Sequence, residues 1–152
     1  MILKICELIS IILLTLVSGM YWGPWLALSR SMATFKPDVF LAIVHRMNRN
    51  MAPLMTILMP VAMLSTFPIL LFSYSKQPTT FYLTLVALLL FAVTLVVTVR
   101  VEVPIVKQIE TWTVPTLPPN WQQFRDRWGA FHIIRIVPSL VGLVLLLIAV
   151  IF

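Results

Sequence analysis

Charge is scarce in this chain. Only 11% of its 152 residues are Asp, Glu, Lys or Arg, against about 25% in a soluble domain, and that shortage excludes an ordinary water-soluble globule. Cysteine is nearly absent too. The single Cys6 cannot close an internal disulfide, and no Cys-x-x-Cys pair exists, so a thiol–disulfide relay of the four-helix quinone-reductase type is excluded. The chain has no Gly-rich phosphate loop, no Ser-His-Asp pattern and no carboxylate cluster suited to a di-iron centre or Mg²⁺. Its net charge is +6, but the basic residues stand at the ends of apolar runs and not on one exposed face, so nucleic acid is not an expected partner.

What the chain has in quantity is hydrocarbon. It is 61% hydrophobic, with a mean hydropathy of +1.02. Four runs, roughly Ile9–Leu28, Pro53–Phe72, Phe81–Val99 and Ile133–Phe152, are each near the roughly 20 residues that a helix needs to cross about 30 Å of hydrocarbon. The composition therefore predicts an all-α, four-helix transmembrane bundle, one domain over residues 1–152, with no room for a separate soluble domain. The first run carries Tyr21, Trp22 and Trp25 and is followed by no small-x-small cleavage site, so it reads as a retained helix and not as a signal peptide.

The ends of the runs predict orientation. Arg30, Lys36, Arg46 and Arg49 lie between the first and second runs, and Arg100, Lys107, Arg125, Arg127 and Arg135 lie around the connection of the third and fourth; only Lys4 and Lys76 sit at the other end. The positive-inside rule then places both long connections in the cytoplasm and both termini outside, in a plasma or inner membrane. The helices extend past their apolar runs as amphipathic segments on the cytoplasmic side. Helix 1 is expected over Leu3–Met32, with Gly19 and Gly23 at small-xxx-small spacing predicting tight packing. Asp38 is placed to cap helix 2, which starts near Val39. Prolines 53, 60 and 68 predict a bent or broken second span, and Pro104 bends the end of helix 3, which runs from Thr79 to about Trp112. Prolines 115, 118 and 119 exclude a helix before helix 4, which begins at Pro119 or Asn120.

Polar groups converge at the basic end. Trp121, Arg125, Trp128, His132, Arg135 and Ser139 recur every three or four residues and so share one helix face. Trp121 and Arg125 suit an interfacial belt; His132 and Arg135 lie deeper. Glu102 sits at a similar depth on helix 3 and needs a cation, for which Arg100, Arg127 and Arg135 are candidates. A Glu102–Arg135 pair either braces two helices or serves a reaction in which Glu102 or His132 is the base. His45 and Asn48 share a face of helix 2. His45 and His132 are the only histidines, and together they could ligate haem iron or copper, although lone histidines are more often hydrogen-bonding residues. Met47, Met51, Met55, Met59 and Met63 form an i, i+4 ladder, readable as adaptable packing or as soft ligands for Cu(I).

Val101-Glu102-Val103-Pro104-Ile105, then Trp128-x3-His132-x2-Arg135, a first helix with glycines followed by Pro24, and Met47-Asn48-Arg49 together resemble the anthrone oxygenase-like family, also called DUF1772, over nearly the whole chain. The resemblance implies a small four-helix membrane protein; fungal members of known role oxidise polyketide anthrones to anthraquinones. It points to Asn48, Pro104, Trp128, His132 and Arg135. Two positions depart from the family pattern: Glu102 stands where Asn is frequent before Val-Pro, and Val106 where an Asn is frequent after that Pro. The implied activity is oxidation of a hydrophobic aromatic or phenolic small molecule without a cofactor. His132 or Glu102 would take a proton, and Arg135 or Arg127 would steady the anion. Trp121 and Trp128 would wall the pocket, and Asn48 and His45 would contact substrate. The alternatives are a haem- or copper-binding bundle using His45 and His132, and a non-catalytic membrane accessory or transport protein. The lipid bilayer is the expected partner, and a homo-oligomer is allowed.

Overall fold

The computed structural model describes residues 1–152. Its elements are all helical: α1 (Ile2–Leu28), α2 (Pro37–Leu64), α3 (Phe67–Ser73), α4 (Pro78–Val97), α5 (Val103–Glu110) and α6 (Trp121–Ile151). They form four rods long and apolar enough to cross a membrane: α1, then α2 with α3, then α4 with α5, then α6. The chain is an integral membrane protein with an all-α four-helix architecture. Large apolar side chains such as Leu16, Ile57, Leu89 and Val144 are exposed on the outside of the rods, where they meet lipid.

Proline sets the shape of the rods. Pro68 has no N–H to return to the Leu64 carbonyl, and the second rod breaks just before it, where the Ser65 and Thr66 hydroxyls turn back onto the Ala62 and Met63 carbonyls at 2.7 Å each. The third rod passes through a π-helical turn at Thr98–Glu102 before α5, with Pro104 in the first turn of α5. A π turn holds one residue more than an α turn and is common at functional sites.

Several expectations about helix ends need correction. Helix 1 stops at Leu28, and Met32 belongs to a separate 3₁₀ turn, Met32–Thr34. Pro37 opens α2 with Lys36 as the N-cap, so Asp38 lies inside the first turn and makes no cap bond; proline is well suited to that first position because it has no donor to leave unsatisfied. One short 3₁₀ turn, Val114–Thr116, interrupts the proline-rich connection. Gly19 and Gly23 do not mediate close packing: a Cβ on either would meet nothing within 4 Å. The close approach is at Gly142, where a Cβ would lie 3.1 Å from the Phe91 ring and 3.2 Å from the Ala87 carbonyl.

Rods α1 and α6 run antiparallel, joined by Ser18 Oγ to the Ser139 carbonyl (3.5 Å) and Lys4 Nζ to the Val150 carbonyl (3.2 Å). Rods α4 and α6 are stitched by Thr80 and Thr94 hydroxyls to the Ala149 and Arg135 carbonyls at 3.1 and 3.3 Å. One apolar core, including Leu14, Val17, Ala62, Phe91 and Leu146, fills the bundle. A second, around Phe40, Val44, Ile109, Trp112 and Trp128, is built by the amphipathic extensions at the basic end. Between the cores α2 rests on α1 but barely touches α4, which leaves a space between them.

Candidate functional site

A cavity of about 370 Å³ lies between α1, α2, the π turn and α6, within the range of about 300–1,000 Å³ usual for small-molecule sites. Its walls are mostly apolar. Met47, Met51, Met55 and Met59 form the α2 wall, Met20 comes from α1, and Leu95, Val99 and Val106 lie across from them. Thr56 and Pro60 on α2 and Val99 and Val103 facing them are exposed as well as lining, so the cavity opens sideways between the second and third rods, among the apolar spans.

One end of this apolar space is polar. Glu102, His132, Arg135, Tyr21 and Thr98 meet there. The π turn carries Glu102, which is only 2% exposed. Its carboxylate lies 3.5 Å from Arg135 Nη2, and neither of its oxygens has a hydrogen-bond partner. The Arg135 guanidinium also donates to His132 Nδ1 at 2.5 Å and sits over the Tyr21 ring, 4.7 Å from its centre. Arginine has no acceptor, so His132 Nδ1 must be the lone-pair side of a neutral imidazole. His132 Nε2 then carries the proton and donates it to the Tyr21 carbonyl at 2.9 Å. Tyr21 lies one residue after Met20, whose own carbonyl has no helix donor because Pro24 lacks an N–H. The histidine is thus held at both nitrogens, and the carboxylate is left with free lone pairs.

The expected site residues separate into two groups. Glu102, Trp128, His132, Arg135 and Asn48 all line the cavity, Asn48 at the basic end, with its amide donating to Glu110 at 2.6 Å. His45, Trp121 and Arg127 do not line it. His45 contacts the Ile109 carbonyl at 3.3 Å and ties α2 to α5. Trp121 packs on Phe40 and beneath Arg125. Arg127 is exposed on the other side of α6, over the Phe131 ring. The two histidines therefore do not converge on this cavity, and nowhere do three or more His, Cys, Asp or Glu side chains gather as a metal-ligand set. Sequence reasoning missed Tyr21 and Thr98. Tyr21 contributes a backbone carbonyl and a ring face, which leave no motif. The methionine ladder was visible as a pattern; that four of its five members line a cavity was not.

A second cleft, about 260 Å³, lies behind Trp128 and His132 and is edged by Trp25, Met32, Arg125 and Gly129. Trp128, His132, Pro24 and Met47 line both spaces, so the partition between them is one side chain thick.

Fold and site together define a membrane-embedded bundle with an apolar pocket capped by a carboxylate–guanidinium–imidazole cluster. The chain belongs to the anthrone oxygenase family, whose profile matches residues 40–145. That stretch holds Glu102, Trp128, His132 and Arg135, while Tyr21 reaches the cluster from outside it. No curated protein and no solved structure gives a significant match.

Proposed function

We propose that the protein is a membrane oxygenase acting on an apolar, weakly acidic aromatic of the anthrone type, with Glu102 as its base. The observation that carries this reading is the buried carboxylate: Glu102 stands at the end of an apolar cavity, paired only with Arg135 at 3.5 Å and with no hydrogen bond within geometric limits on either oxygen. An ionisable group in that position is costly and is usually functional. His132 is the weaker candidate for the base, because its one free lone pair already accepts from Arg135. It serves instead to position the guanidinium.

The methylene of an anthrone is acidified by its flanking rings and the opposite carbonyl. Glu102 takes one of its protons, and Arg135 stabilises the resulting anion in a site of low polarity. The anion adds O₂ to give a hydroperoxide after the proton returns. Loss of the remaining C–H proton with cleavage of the O–O bond then releases water and leaves a carbonyl, so one O₂ becomes one quinone oxygen and one water. Neither step calls on a redox cofactor. Thioether side chains make favourable contacts with aromatic rings, which suits the α2 wall to a flat substrate. The concentration of basic residues at the Glu102 end supports an orientation with that end in the cytoplasm and the termini outside.

Oxygen uptake by the detergent-solubilised protein with an anthrone substrate tests the proposal. Glu102→Gln should abolish uptake in a protein that still folds, with a lowered melting temperature because Arg135 loses its buried counter-charge. A Glu102→Gln protein with full turnover would overturn Glu102 as the base.

A further inference from the structure

Five of the eight methionines, Met20, Met47, Met51, Met55 and Met59, line one cavity. The usual explanation for core methionine is that a flexible thioether fills an awkward gap. Met59 belongs to one core, and Met55 and Met47 pack against the two cores, but all five also border a cavity of about 370 Å³, where Leu or Ile would make the same apolar wall with no oxidisable atom. The opposite wall is aliphatic at Leu95, Val99 and Val106, so four of the five sulfurs stand in one helical row on α2, in a cavity that ends at the buried carboxylate.

We propose that this row is a modification site, at which Met51 and Met55 take the terminal oxygen of an apolar hydroperoxide held in the cavity. A sulfur lone pair attacks that oxygen, the S–O bond forms and the O–O bond breaks. The hydroperoxide proton passes to the oxygen left on carbon, so hydroperoxide and thioether become alcohol and sulfoxide. Met59 should be spared: it is only 2% exposed, and its sulfur faces the Tyr21 hydroxyl at 4.0 Å. The natural source of the peroxide rests on the oxygenase reading above; the capacity of the site does not. A sulfoxide is polar and is reversible by reductases. Its appearance on the α2 wall would lower the fit of an apolar ligand and slow the protein as peroxide accumulates.

The test uses the full chain in detergent, treated with limiting cumene hydroperoxide or with hydrogen peroxide, and mapped for sulfoxide by peptide mass spectrometry. Met1, 99% exposed, and Met63, outside the cavity lining, are internal references. With cumene hydroperoxide, Met51 and Met55 should oxidise several-fold faster than both references, and excess cumyl alcohol, the same shape without the O–O bond, should slow them without slowing Met1. With hydrogen peroxide the order should reverse, Met1 first. Oxidation of Met1 ahead of Met51 and Met55 by cumene hydroperoxide, or the absence of protection by cumyl alcohol, would overturn the site. Glu102→Gln separates the two proposals. It should keep this pattern with added cumene hydroperoxide and lose it when an anthrone and O₂ are supplied instead. An oxygenase failure would leave the cumene hydroperoxide result standing.

Discussion

Arg135 holds three groups at once: the Glu102 carboxylate, the His132 ring nitrogen and the face of Tyr21. Removing it would leave a buried carboxylate without its cation, a loss worth about 3–5 kcal/mol in buried pairs. Arg135→Gln should therefore lower the melting temperature sharply, and the double variant Arg135→Gln with Glu102→Gln should recover much of it. Equal melts for the single and double variants would mean that the pair contributes little. Much of this cluster was legible from spacing, since Trp128, His132 and Arg135 fall on one helical face and Glu102 has a matching depth. Arg127 was not separable by depth alone. It sits one residue before Trp128, and one residue turns a helix by about 100°, enough to carry its guanidinium to the exposed side over Phe131. Tyr21 was illegible because its role runs through main-chain oxygen.

Among the elements, the α4–α6 contact is the tightest and depends on a glycine that no motif marks. A Cβ at Gly142 would press on the Phe91 ring and on a backbone oxygen, and only the ring could yield. Gly142→Ala should destabilise the bundle by about 1–3 kcal/mol, the usual cost of overpacking. Gly19→Ala and Gly23→Ala, which meet open space, should leave a detergent melt unchanged. Sequence spacing favoured the wrong pair because i, i+4 glycines look alike whether they face a neighbour or lipid. The proline breaks were more readable. Proline removes a donor wherever it stands, so the interruption before Pro68 and the irregular end of the third span followed from the residues themselves. The π form of the turn at Thr98–Glu102 did not, since it depends on how α4 and α5 pack.

At the scale of the molecule, four apolar runs sufficed to specify four rods, because the hydrocarbon thickness sets their length. The cavity is a different kind of feature. It exists because α2 packs on α1 and stands off from α4, a placement set by helix packing and not by any local sequence pattern. Its mouth, framed by Thr56, Pro60, Val99 and Val103, lies among the membrane spans. An enzyme loaded through such an opening draws on solute dissolved in the bilayer, so its effective substrate concentration is a mole fraction in lipid. In reconstituted vesicles at fixed total substrate, turnover should fall as more lipid is added, and it should be nearly indifferent to the volume of the surrounding buffer. A rate that followed aqueous concentration instead would place the way in at the basic end. On the proposed oxygenase reading, the sideways mouth makes the membrane a reservoir as well as a support, and surface dilution, not bulk dilution, becomes the variable that governs output.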